Sequence, residues 1–256
     1  MIKLSVVIAA RNEEKNIQKC LESVKWADEI VIVDDMSTDD TIEICKRYTK
    51  NIFISDSGGS FHKNKNLGIE KAIGEWILSL DADEIIPKEL SEEIKKSIQS
   101  SEISGYYLNR KNYFIGKWIR GCGWYPDYII RLFKKGVTKW PLNIHDVPKI
   151  ESKDKVSYLK NPFIHYSYSS LYQYFEKFNR YTSRLAQEEY EKGTKVSNKN
   201  FFLFFLIKPL FWFIRKYFLQ RGWKDGFHGF FISFSSGLVV FTTYTKLWEI
   251  QNNEKS

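Results

Sequence analysis

At 256 residues the chain is long enough for one large domain with an appendage. Its three cysteines, odd in number and without metal-ligand spacing, suggest neither a disulfide framework nor a zinc site. The net charge of +8, from 39 basic and 31 acidic residues, leaves nucleic acid, anionic lipid and phosphorylated substrates as classes of partner.

The short apolar start, Leu4 to Ala10, runs straight into Arg11-Asn12-Glu13-Glu14 without a small-residue cleavage site. It reads as a first strand over 2–9, no signal peptide is expected, and the cytoplasm is the expected compartment. A helix over 14–25 follows, with Ile17, Cys20, Leu21 and Val24 on one face. A strand over 29–33 ends on Asp34-Asp35, and Ser37 or Thr38 is expected to cap a helix carrying Ile42, Ile44 and Cys45. A strand over 52–55, a loop through Gly58-Gly59, a helix over 63–73 and a strand over 76–80 complete a β-α-β-α-β-α-β series. That order predicts a parallel sheet covered by helices. After a helix over 88–100, strands over 106–114 and 128–134 flank a Gly- and Trp-rich segment, and helical spacing returns over 168–191.

The last part of the chain differs in kind. From Lys192 to Lys224 there are eight basic residues and no acidic one, together with Phe201, Phe202, Phe204, Phe205, Phe211, Trp212, Phe213, Phe218 and Trp223. Pro209 is expected to break this stretch, and an uncharged run follows from Gly226 to Thr245. The expected division is 1–165 and 166–256. For the tail three readings stand: helices lying on an anionic membrane surface, a buried helical pair or oligomer interface, and a spanning helix. The first is favoured, because Lys and Arg snorkel to headgroups while Phe and Trp enter the interface. Nucleic acid is not an expected partner, since Phe-Phe-Leu-Phe-Phe-Leu-Ile reads as burial and not as a stacking platform.

The most informative motif is Asp81-Ala82-Asp83-Glu84, directly after the apolar run Trp76-Ile77-Leu78-Ser79-Leu80. Ligands of open α/β sheets bind beyond the carboxyl ends of the strands. Two carboxylates placed there repel each other unless a cation lies between them, and a divalent ion shared with substrate phosphates resolves that cost. The competing reading is a solvated turn before a helix opened by Pro87.

Taken with Ser5–Glu13, Val33–Asp39 and Lys65-Asn66-Leu67-Gly68, this motif resembles those of the inverting family-2 glycosyltransferases. The resemblance covers about residues 1–135. Gly123–Asp127, Arg131-Leu132-Phe133 and Ile144-His145-Asp146 further resemble the subgroup acting on lipopolysaccharide core and other cell-surface glycans. It implies the GT-A fold, a Rossmann-like and mostly parallel sheet, here with a C-terminal helical, membrane-associating extension. It also implies a donor nucleotide-diphosphate sugar (a UDP-sugar), Mg²⁺ or Mn²⁺, and a glycan or lipid-linked acceptor. By motif, Ala9, Ala10, Glu13 and Asp35 line the nucleoside cleft, Lys65 reaches the diphosphate, and Asp81 and Asp83 hold the metal, Asp83 more directly and Asp81 also on the nucleotide side. His145 is a further candidate metal ligand, and Arg131 a candidate contact to diphosphate or acceptor, although strand alternation alone equally points it to solvent. Asp127 and Asp146 are the candidate bases, Asp127 preferred for its Gly/Trp/Pro loop. Otherwise Lys65 reads as an exposed helix lysine, Asp34 as an Asx turn, and His165 as packing. The implied enzyme sits peripherally on the cytoplasmic face of the membrane. A polyprenyl-phosphate sugar synthase is the close alternative, and a non-catalytic membrane-surface scaffold the alternative of another class.

Overall fold

The computed structural model describes residues 3–99, 102–141, 148–150 and 155–253. Its first elements follow the predicted alternation: β1 (Leu4–Ala10), α1 (Ile17–Val24), β2 (Glu29–Asp34), α2 (Thr41–Cys45), β3 (Ile52–Ile54), α3 (Phe61–Lys71) and β4 (Trp76–Asp81). β1 pairs in parallel with β2 on one side and β4 on the other, and β3 pairs in parallel with β2. Every residue of β1 and β2 is buried, as expected of parallel strands with helices on both faces. Alternation sends Leu4, Val6 and Ile8 toward Ile17 and Leu21 of α1 and Leu90 and Ile94 of α4 (Lys88–Ser97). Val7 faces the other way, with Ile69 of α3, Ile77, Ile130 and Trp140. Each such aliphatic side chain contributes about 1.5–3 kcal/mol on burial.

One contact positions α3. A Cβ on Gly68 would lie 2.4 Å from Cγ1 of Val7, so only glycine lets the helix settle this closely onto β1.

The chain then adds β5 (Glu84–Ile85), β6 (Gly105–Phe114), β7 (Lys117–Trp118), β8 (Tyr128–Lys134), β9 (Val156–Tyr158) and β10 (Phe163–Tyr168). The strand order is β3-β2-β1-β4-β8-β6-β10-β5, with β7 and β9 also on β6. β8 runs antiparallel between β4 and β6, which makes the sheet mixed.

Two compact units result, Met1–Lys111 with Asp127–His165, and Asn112–Pro126 with Tyr166–Ser256. The division read from sequence, 1–165 and 166–256, differs from this by the segment Asn112–Pro126. Phe114, Ile119 and Cys122 of that segment form a cluster with Ile232, Tyr174 and Phe231, all in the second unit. Asp225 ties the segment down by accepting the backbone N–H groups of Arg120 and Gly121.

The second unit also holds α5 (Leu171–Glu191), α6 (Lys208–Ile214) and α7 (Phe227–Asn253). Pro209 does not break the aromatic stretch. It lies in the first turn of α6, and π-helical turns at Leu203–Ile207 and Arg215–Leu219 continue the helix over 203–219. The wider turn lets the Lys208 N–H reach the Leu203 carbonyl, so the ring is accommodated. α7 is long and apolar enough to cross a membrane, by length and composition.

Candidate active site

The carboxyl ends of β1, β2 and β4 bring Ala9-Ala10, Asp34-Asp35 and Asp81 together at one edge of the sheet. The two neighbouring aspartates have different tasks. Asp34 accepts the N–H and hydroxyl of Ser37, at 2.8 and 2.6 Å, closing a side-chain turn one residue longer than the expected Asx turn. This occupies Ser37, and α2 starts later, with Asp39 accepting the N–H of Thr41. Asp35 accepts the Ser57 N–H at 2.8 Å and its hydroxyl at 3.0 Å, and Arg11 approaches at 3.4 Å. Burial opposes its ionisation, but the Ser57 donors and the Arg11 charge hold its carboxyl below the usual range. Ala9 and Ala10 are buried beside it and offer no side-chain hydrogen bond. Glu13 precedes α1, and its carboxylate accepts the side-chain amide N–H of Asn16, the N-cap residue, at 2.8 Å.

Lys65 is not the exposed helix lysine that its spacing suggests. It is 5% exposed, because α3 lies tight on β1 and aims it across the sheet edge. Its ammonium meets Asp81 Oδ1 at 2.6 Å and lies 3.9 Å from the Trp140 ring centre. Arg131 reaches the other oxygen of Asp81 at 2.7 Å and Glu84 at 2.5 Å. Glu84, 0% exposed, also accepts the Asp81 N–H at 2.9 Å. Burial penalises the Asp81 carboxylate, yet the two cations overcome it and hold its pKa well below the usual range. Burial, with Asp81 nearby, pushes Glu84 up, and burial pushes Lys65 down.

Arg131 owes its direction to a break in register. β6 and β8 pair Tyr106 with Leu132 but Tyr107 with Ile130, so Arg131 is the extra residue of a β-bulge. Bulges re-aim side chains, and this one turns Arg131 inward where simple alternation allows solvent. Arg131 is 1% exposed, and its Nε and Nη1 have no hydrogen-bond partner among the described residues. Buried guanidinium donors left this way are costly, and a phosphate satisfies them in the fork geometry that guanidinium offers.

Asp83 lies apart from this cluster. Its Oδ2 is 3.5 Å from Nε2 of His165, which the pairing of β10 with β5 brings opposite Glu84. The sequence reading assigned His165 to packing; the fold sets it beside Asp83. Asp127 is held by Arg110, whose Nε and Nη2 both reach its Oδ2 at 2.8 Å. His145 and Asp146 lie outside the described residues. Among the described residues no group of three or more His, Cys, Asp or Glu side chains could by itself hold a metal.

Comparison with known proteins decides the family. Residues 5–149, more than half of the chain, match Glycosyl transferase family 2. The chain belongs to that family, and it is a glycosyltransferase. An uncharacterized glycosyltransferase of Rickettsia typhi is 29% identical over 98% of the chain and 88% of its own length. The lipopolysaccharide core biosynthesis glycosyltransferase LpsC of Rhizobium meliloti is 26% identical over 97% of the chain and 93% of its own length. Among solved structures, TarS (residues 1–349) of S. aureus in complex with UDP aligns with 99% of the chain and 92% of its own, at 16% identity and a TM-score of 0.51. That likeness concerns the fold, which is GT-A.

Proposed function

We propose that this glycosyltransferase moves a sugar, with inversion and with a divalent ion, from a UDP-sugar onto a hydroxyl of a cell-surface glycan of the lipopolysaccharide-core kind. The observation that carries the reading is the buried pair of cations, Lys65 and Arg131, at the strand ends, with two guanidinium nitrogens unpartnered. That arrangement suits a diphosphate held over the sheet edge. Asp35 then accepts from the base or ribose, for which a carboxylate fixed by Ser57 is prepared. The LpsC relative's name and the UDP bound to TarS favour the same donor and acceptor classes.

Both oxygens of Asp81 are engaged by Lys65 and Arg131, so the metal falls to Asp83, and His165 takes the place that the sequence offered to His145. One carboxylate and one imidazole, both partly open to solvent, fit Mn²⁺ or Mg²⁺ whose other ligands are diphosphate oxygens and water. When bound, the ion neutralises charge on the departing nucleoside diphosphate. The acceptor oxygen attacks the anomeric carbon as its proton passes to a carboxylate. The bond from that carbon to the phosphate oxygen breaks, and its electron pair leaves with UDP, assisted by Lys65 and Arg131. Asp127 is the preferred base, with Asp146 its competitor. The basic aromatic tail supports a peripheral position on the cytoplasmic face of an anionic membrane.

The test is Asp83→Ala and His165→Ala, assayed with UDP-sugars with and without Mn²⁺. Loss of a metal ligand should lower transfer on the order of 10²-fold or more. Full activity of Asp83→Ala, or undiminished wild-type activity in excess chelator, overturns the metal assignment.

A further inference from the structure

In the second unit the usual polarity of a helix is inverted. Along 203–219 the exposed residues Leu203, Leu206, Leu210, Ile214 and Phe218 recur at helical spacing, and α7 exposes Phe227, Phe230, Phe234, Phe241 and Trp248. Soluble proteins rarely leave so large an apolar face open. Between the two helices runs a groove of about 420 Å³ with an apolar lining. Its floor is low because Gly237 meets the backbone of Pro209, a Cβ there falling 2.7 Å from the proline carbonyl. Its walls are the upright side chains of Phe205, Leu210, Phe213, Phe234 and Phe241.

We propose that this groove takes up one hydrocarbon chain of an anionic membrane lipid, a reading that rests on the membrane position proposed above and extends it. A narrow, apolar trough suits an unbranched chain better than a folded partner. The charge argues for the lipid's headgroup, since Arg215 lies in the last turn of the groove-lining helix, Arg221 and Lys224 follow it, and Lys192–Lys224 carries no acidic residue. A second copy is disfavoured by the same charges, because a twofold contact through this face sets the cationic stretch toward its own image.

The probe is cis-parinaric acid, titrated into the full-length protein below its aggregation threshold, alongside sedimentation with phosphatidylglycerol and phosphatidylcholine vesicles. The wild type should bind about one equivalent of the chain, as one groove of this kind requires. Filling the trough with Leu210→Trp, or with the more exposed and easily tolerated Leu206→Trp, should weaken chain binding at least tenfold while phosphatidylglycerol vesicles are still bound. Replacing Arg215, Arg221 and Lys224 with Gln should do the reverse, releasing vesicles and sparing the chain. Absence of chain binding, wild-type chain binding by both filled variants, or a protein dimer that excludes the chain overturns the groove proposal. Failure to bind phosphatidylglycerol vesicles while the chain still binds overturns the membrane position instead.

Discussion

The two units handle charge and apolar surface in opposite ways. In the first, apolar side chains are sealed between sheet and helices, and the buried charges Lys65, Asp81, Glu84 and Arg131 are gathered at one strand edge where they answer one another. In the second, cations are spread along the helices while phenylalanines and leucines face outward. Buried charge that is partly unsatisfied calls for a small anionic ligand, whereas exposed apolar surface with a basic fringe calls for an extended one. The composition of a region is thus less telling than which part of it is hidden.

The sharpest way to break this contrast is to remove its central cation. Arg131→Met leaves Asp81 and Glu84 buried against Lys65 alone, and unpairing a buried charge costs about 3–5 kcal/mol. Melting should drop accordingly and transfer should vanish; a variant with wild-type stability would show that the cluster is hydrated and not buried. The opposite unit should be indifferent to single charges. The triple Gln variant at Arg215, Arg221 and Lys224 should lose about 1 kcal/mol of vesicle affinity per cation at low salt, and little at high salt. An equal loss in both salts would count against an electrostatic fringe.

Gly68→Ala tests the packing that delivers Lys65. The added methyl must displace Val7, so a destabilisation of about 1–3 kcal/mol is expected, measured by denaturant melts. Asp127→Asn and Asp146→Asn should separate base from bystander: the true base loses kcat while UDP affinity holds. If only Asp146→Asn loses turnover, the preference for Asp127 is wrong.

The smallest effect expected is one of pH. Asp35 and Asp81 are both held below the ordinary carboxylate range, so the stability they add is present above about pH 4 and is lost as acid passes their folded values. Affinity for a UDP-sugar, whose diphosphate carries no group that titrates near neutral pH, should therefore stay nearly flat from neutral down to about pH 5. A midpoint near pH 6 in calorimetric titrations would contradict that pairing.

The parallel half of the fold was legible because its signals are local: buried runs, helical spacing and strand-end aspartates lie close in sequence. The placement of Asp35 and Asp81 at neighbouring strand ends follows from such signals. For Lys65 the sequence left two readings, a diphosphate contact and an exposed helix lysine; its burial removes the second, which spacing along α3 could not do because it says nothing of what stands across the sheet edge. The setting of His165 opposite Glu84 was not legible, because it depends on β10 pairing with Glu84–Ile85, a strand too short to announce itself. The inward turn of Arg131 depends on a bulge between β6 and β8 that neither strand encodes alone. In the tail, Phe-Phe-Leu-Phe-Phe-Leu-Ile was read as burial, yet Phe201, Phe202 and Leu206 are each more than half exposed. Hydrophobicity says what avoids water, and the membrane is one of the places it can go.

The interleaving of the two units has a consequence in time. Phe114 emerges from the ribosome long before Phe231 and Ile232, the side chains that will cover it. At about 5–20 residues per second, that interval lasts roughly 6–24 s. Through it the nascent chain must carry an uncovered aromatic strand end, which makes residues 112–126 the natural foothold for a chaperone and an unpromising place to stop a truncation.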